Sequence, residues 1–299
     1  MLRTLPSSGF GQLAILPLDV LQLILLKAGG GRVRILSSGL KRMFDEANTS
    51  LNIGLSRSAF SSADVGLHIA KVIRSSKALG SVTVKNKCPP HNFSNMLRGF
   101  IPSLASLKSL HTLVLSDSSM ETDVVISLSK VLTALTGLHT LDISVHGYGD
   151  IDAASESIAT SLMGLSRLRS LDLSGNNIGL NYAASLALSL IALTGLNTLK
   201  LCNNGIGPEG AASLAPSLMV LTGLHTLDLG MNSLGPVGAS LLASSLECLT
   251  GLQDLDLSFN RFGPAGAASL APSLKLLTGL HSFQLITLDR LVQLHWHLL

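Results

Sequence analysis

Residues 224–232 read Leu224-His225-Thr226-Leu227-Asp228-Leu229-Gly230-Met231-Asn232, and the stretch recurs along the chain. Its leucine pattern, L-x-x-L-x-L or a near variant, begins at Leu110, Leu138, Leu168, Leu196, Leu224, Leu252 and Leu280, at spacings of 28, 30, 28, 28, 28 and 28 residues. Four copies reach an asparagine eight residues after the first leucine: Asn176, Asn204, Asn232 and Asn260. Weaker copies lie at Leu79-Gly80-Ser81-Val82-Thr83-Val84 and around Leu51-Asn52-Ile53, for about nine turns. Such a period marks an array in which each unit buries its apolar side against its neighbours.

Each unit changes periodicity midway. The first part alternates with period two, so its leucines point one way and the intervening side chains the other, as in a strand. The second part reads, in one unit, Gly207-Pro208-Glu209-Gly210-Ala211-Ala212-Ser213-Leu214-Ala215-Pro216-Ser217-Leu218. Leu214, Leu218, Leu221 and Leu224 follow at helical spacing, as do Leu186, Leu190, Leu193 and Leu270, Leu274, Leu277. Pro208, Pro236 and Pro264 stand where a first helical turn tolerates a missing N–H. Gly210, Gly238 and Gly266 lack the bulk that would hold neighbouring helices apart. Pro216 and Pro272 fall about two turns in, which predicts helices bent or broken there.

These units resemble the leucine-rich repeat superfamily, in the 28-residue class typified by ribonuclease inhibitor, over residues 48–285. The resemblance implies an α/β solenoid, a horseshoe with a concave parallel sheet and convex helices. It further implies that the asparagines hydrogen-bond backbone groups of adjacent turns as a ladder. Ser118, His146 and Leu288 interrupt that ladder, and the two extra residues in Val145–Ala154 predict a bulged turn.

The 299 residues include 64 leucines, 40 serines and 28 glycines, with 13% charged and 4% aromatic residues. At 46% apolar the chain has a core to bury and is not generally disordered. Mean hydropathy is +0.47, yet the longest apolar run, Leu13 to Leu26, is 14 residues and includes Pro17, Asp19 and Gln22. That is short of the ~20 residues a spanning helix needs. Three separated cysteines (Cys88, Cys202, Cys248) make no disulfide framework and predict a reducing, cytoplasmic or nuclear setting. Residues 1–109 carry 14 Lys and Arg against 4 Asp and Glu, whereas residues 110–299 carry 7 against 14. A basic front and an acidic back do not form one nucleic-acid surface, and no aromatics interleave with the basic residues.

The outward strand positions form two columns. One reads Thr112, Thr140, Ser170, Thr198, Thr226, Asp254, Ser282, and the next Val114, Asp142, Asp172, Lys200, Asp228, Asp256, Gln284. Neighbouring strands are about 4.8 Å apart, which places Asp142 beside Asp172 and Asp228 beside Asp256. Two readings compete: an acidic stripe that receives a basic partner segment, and an aspartate that is simply the common residue of this repeat position. Paired carboxylates without an enclosed pocket do not point to glycoside chemistry. His111, His139, His225 and His281 recur with the repeat and lack the three or four converging ligands of a metal site. Cys202 has no neighbouring signature of a nucleophile, and Gly29-Gly30-Gly31 lacks the lysine of a phosphate loop. No catalytic residue, metal or cofactor is expected.

Residues 1–47 read as a small helical N-terminal region. Leu16-Pro17-Leu18-Asp19 opens a helix with an apolar stripe at Leu16, Val20, Leu21, Ile24 and Leu25, and a second segment ends at Lys41-Arg42-Met43-Phe44. The pattern resembles a diverged F-box, the module that docks on the Skp-type adaptor of cullin-RING ubiquitin ligases, with Leu16, Pro17, Val20, Leu21, Ile24 and Phe44 as its adaptor face. It departs from the family at Gly29–Gly31 and at Ser38-Gly39. A plain helical cap over the first repeat and a secretory signal are the other readings. Residues 286–299 lose the loop asparagine and the Gly-Pro helix start together while remaining apolar. Either the native chain continues there in another form, leaving Trp296 exposed, or the segment folds back as a cap; the lack of charge favours the former.

The expectation is a non-enzymatic protein-interaction solenoid, with no nucleic-acid or membrane partner. The concave columns would hold a client, and residues 16–46 would link it to a ubiquitin ligase. The alternatives are a repeat scaffold (cytoskeletal, ciliary or immune-sensing) and a Ran-type GTPase activator. The latter family resembles this repeat class and supplies a loop arginine, matched only by Arg261.

Overall fold

The computed structural model describes residues 50–55, 63–75, 79–86, 90–116, 120–144 and 152–285. The adaptor-like segment, the C-terminal end after Leu285, Ser118, His146 and most of the expected bulge lie outside the described residues. Nine strands belong to one sheet: β1 (Ser50–Leu55), β2 (Ser81–Asn86), β3 (Thr112–Ser116), β4 (Thr140–Asp142), β5 (Ser170–Asp172), β6 (Thr198–Lys200), β7 (Thr226–Asp228), β8 (Asp254–Asp256) and β9 (Ser282–Gln284). All pair in parallel and in sequence order. Between them run α1 (Ala63–Ser75), α2 (Pro90–Leu104), α3 (Thr122–Leu132), α4 (Asp152–Leu162), α5 (Gly179–Ala192), α6 (Gly207–Val220), α7 (Gly235–Glu247) and α8 (Gly263–Leu276), each packed on the next. The fold is an α/β repeat solenoid, and among the described residues no helix is long and apolar enough to cross a membrane.

The two periodicities meet in a single core. Leu224, Leu227 and Leu229 from a strand unit, Leu214 and Leu218 from the preceding helix and Leu221 just after that helix are all buried, and the flanking turns repeat the arrangement. Small residues set the helix spacing. A Cβ added at Gly266 would stand 3.1 Å from both Ala239 Cβ and Pro236 Cα of α7, so the bare backbone is what lets α8 approach. Pro208, Pro236 and Pro264 lie in the first turns of α6, α7 and α8, as their spacing predicts.

Of the two outcomes expected at Pro216 and Pro272, a bend or a break, the break does not occur; α6 and α8 run through them. Both prolines are exposed, and the carbonyls that lose an N–H partner belong to exposed Ala212 and Ala268. Water can satisfy those carbonyls, which removes much of the cost a buried proline would carry.

From β4 onward the strands are only three residues long, and the inter-turn bonding continues beyond them. Leu201 N donates to Asp228 O at 2.8 Å, Asn203 N to Gly230 O at 2.9 Å and Gly207 N to Asn232 O at 3.0 Å. The carbonyls that point inward here have no strand partner, and the asparagines supply one. Asn204 Nδ2 donates to Leu173 O and Leu201 O, both at 2.9 Å, while its Oδ1 accepts from Asn176 N at 2.7 Å. Asn232 and Asn260 repeat these bonds one and two turns on. The three are buried, and Asn176 at the start of the series is half-buried.

Replacing Asn204 by leucine strands the Asn176 N–H and takes from Leu173 O and Leu201 O one of the two asparagine donors each has, and should cost about 1–3 kcal/mol, seen as a lower urea midpoint. The same change at Asn176 should cost less, because Asn176 is itself half-buried and within reach of water. Equal losses at both positions would refute this account of the ladder.

Candidate interaction face

The sheet register carries the outward side chains into the two expected columns. Thr112, Thr140, Ser170, Thr198, Thr226 and Asp254 are successive partners, and so are Asp142 with Asp172, Lys200 with both Asp172 and Asp228, and Asp228 with Asp256. Most are half-buried, and Asp254 is exposed. Thr226 Oγ1 donates to Asp254 Oδ2 at 3.4 Å across the strands.

Each aspartate of the second column also has a local task. Asp142 Oδ1 accepts from Ser144 N at 2.9 Å, Asp172 Oδ1 from Ser174 N at 3.0 Å, Asp228 Oδ1 from Gly230 N at 3.0 Å and Asp256 Oδ1 from Ser258 N at 2.8 Å. This is the turn an aspartate makes with the backbone two residues on, and it explains why the repeat favours the residue. The result is a row of carboxylates relieved by one cation, Lys200, whose Nζ lies 3.9 Å from Asp172 Oδ2.

The carboxylates alter one another's chemistry. Burial, and then the neighbouring Asp256, push the Asp228 carboxyl above its usual range, against the Gly230 N–H and Lys200, which pull it down. Half-buried Cys202 faces Asp228, Asp256 and Asp172, and burial together with those charges pushes its thiol up to about 12. A thiol so placed stays protonated at neutral pH, the opposite of an activated nucleophile. The histidine column forms no ligand set: His111 and His139 meet edge to face with ring centroids 6.3 Å apart, and among the described residues no three His, Cys, Asp or Glu groups converge on a metal position.

Two features were not read from the sequence. Arg98 of α2 bonds Asp123 at 2.6 and 2.8 Å and also pairs with Glu121, and the guanidinium holds the Asp123 carboxyl below its usual range. These residues are far apart in the chain and share no repeat position, so nothing in the pattern flags them. In the loops after the strands, Asn203, Met231 and Phe259 occupy one register position with φ between 55° and 56°, where Gly175 has φ 74°. The glycine and asparagine of that column are its only sequence signal.

Four stretches, residues 166–181, 194–215, 221–243 and 249–271, match the family model described as Leucine Rich repeat. They coincide with the most regular units, and the chain carries leucine-rich repeats. Among solved structures, the chain is similar to the leucine-rich repeat-containing protein LegL7 from Legionella pneumophila (15% identity, 85% of this chain and 89% of that one, TM-score 0.43). It is also similar to a Bacteroides fragilis protein (16% identity, 89% of this chain and 81% of that one, TM-score 0.44). No curated protein matches the sequence.

Asp228→Asn keeps an acceptor for the Gly230 N–H and removes a charge the site disfavours. The variant should be more stable than the parent at neutral pH, and the gain should shrink as the pH falls and Asp228 of the parent takes up its proton. Cys202 should resist iodoacetamide at pH 8 and react only as the pH approaches strongly alkaline values, as followed by peptide mass spectrometry. Rapid alkylation at neutral pH would contradict the environment described.

Proposed function

We propose that the chain is a non-catalytic interaction module whose sheet face holds a basic segment of a protein partner. The repeats themselves support an interaction solenoid. The single observation behind the finer reading is the row Asp142, Asp172, Asp228 and Asp256, with Asp254 alongside and only Lys200 among them. The hydroxyl column of Thr112, Thr140, Ser170, Thr198 and Thr226 adds donors and acceptors along the same line. Two like charges at neighbouring strand positions cost only about 1 kcal/mol in water, so such a row is easily maintained. A cationic segment relieves it.

A labelled lysine-rich peptide should bind the full chain at low salt and lose affinity as ionic strength rises, since the screening length falls to about 10 Å at 0.1 M. Changing Asp142, Asp172, Asp228 and Asp256 together to asparagine should weaken binding several-fold and flatten the salt dependence. Binding that is indifferent to those four changes would sink the proposal.

The proposed role of the module is substrate recognition in a cullin-RING ubiquitin ligase, and it rests on residues 16–46 of the sequence. Changing Pro17 and Ile24 to alanine should then abolish co-purification with a Skp-type adaptor while the repeats stay folded. Failure of the unaltered chain to bind any such adaptor would leave the scaffold reading.

A further inference from the structure

Met231 and Phe259 are large apolar side chains set where the fold favours neither of them. Both have φ of 56°, a left-handed conformation that side chains other than asparagine and glycine adopt at a cost. The two preceding turns place Gly175 and Asn203 at this position, the residues the backbone prefers. Burial does not account for the exception either, because Met231 is 49% exposed and Phe259 40%. Conformational cost and exposed apolar surface therefore coincide on two successive turns.

The pair also adjoins the acidic row. The Met231 N–H donates to Ser258 O at 2.8 Å, which ties one loop to the next about one strand spacing, roughly 4.8 Å, away. Each side chain follows its turn's aspartate by three residues. Gly230 lies between them: a Cβ there would stand 3.3 Å from Asp228 Oδ1 and from Asp256 Oδ1 alike. Two exposed apolar residues thus lie three positions beyond two carboxylates on neighbouring turns, at the end of β7 and β8.

We propose that Met231 and Phe259 are the apolar anchor of this surface and that, with Asp228 and Asp256, they select a basic partner segment carrying an apolar side chain among its lysines and arginines. The inference rests on the basic-partner reading above and narrows it. Charge complementarity fixes the sign of the occupant, and the two strained side chains add the requirement for an apolar group within it.

Two short lysine-rich peptides, identical except that a central Trp-Leu pair in one is Ser-Ser in the other, are titrated against the full chain by fluorescence anisotropy. The apolar peptide should bind about tenfold more tightly. In the double variant Met231→Asn, Phe259→Asn the two peptides should bind alike, with the serine peptide unchanged. The unfolding midpoint of that variant should be equal to or above the parent's, because asparagine fits the left-handed backbone, and the single change Phe259→Asn should act in the same direction. A purely structural role would lower the midpoint and weaken both peptides together, which would overturn the inference. Equal affinities for the two peptides, both weakened by Asp228→Asn with Asp256→Asn, would overturn the anchor and leave the acidic reading. Absence of binding by either peptide would overturn both. A preference for the apolar peptide that survives the double variant would place the anchor elsewhere. Self-association of the parent in sedimentation, lost in the variant, would assign the surface to a second copy and so overturn the proposal.

Discussion

Everything in this structure depends on satisfying inward-pointing backbone carbonyls where a strand stops after three residues. Leucine side chains can fill the interior, but they cannot pair with a carbonyl. Without an internal donor each turn would bury unsatisfied groups, at a cost per turn comparable to the whole gain from a well-packed side chain. Asn204, Asn232 and Asn260 supply that donor, and each also receives the amide of the preceding turn's asparagine. The polar chain and the apolar packing are thereby locked into one register. The columns on the outer surface of the sheet are a by-product of that register.

The acidic row illustrates how a structural preference can become a surface property. In four turns an aspartate accepts from the backbone two residues on, so its presence there needs no partner to explain it. Repetition then brings carboxylates from different turns together, and partial burial sharpens their effect on Asp228 and Cys202. The thiol is the clearest witness, since no residue near it in sequence would suppress its ionisation. Its surroundings come from three separate turns.

The solenoid was legible in the sequence because its rules are local and repeat. Leucine spacing sets which side chains are buried, the asparagine offset locates the ladder, and a whole-turn period fixes the strand register that pairs Asp142 with Asp172 and Asp228 with Asp256. The absence of a break at Pro216 and Pro272 could not be read from the sequence, because the lost N–H is a sequence fact, whereas the exposure of the residue whose carbonyl it abandons is a tertiary one. The anchor at Met231 and Phe259 was hidden because a backbone angle is not written in a side chain. Gly175 and Asn203 hint at it only once the loop conformation is known. Arg98 with Glu121 and Asp123 escaped because it obeys no period.

The strict neighbour order of the strands has a genetic corollary. Each turn bonds only the turns before and after it, and four consecutive asparagine positions are separated by the same 28 residues. Copying or excising one such block in frame would hand Leu201 O and its equivalents from one asparagine to an identical one, with helix and strand still in phase. The length of the array is therefore a variable that recombination can change in whole units, while an insertion of any other size has to be absorbed by a loop. The 30-residue step from Leu138 to Leu168, against 28 elsewhere, is the one departure from whole units among the seven strong copies in the sequence.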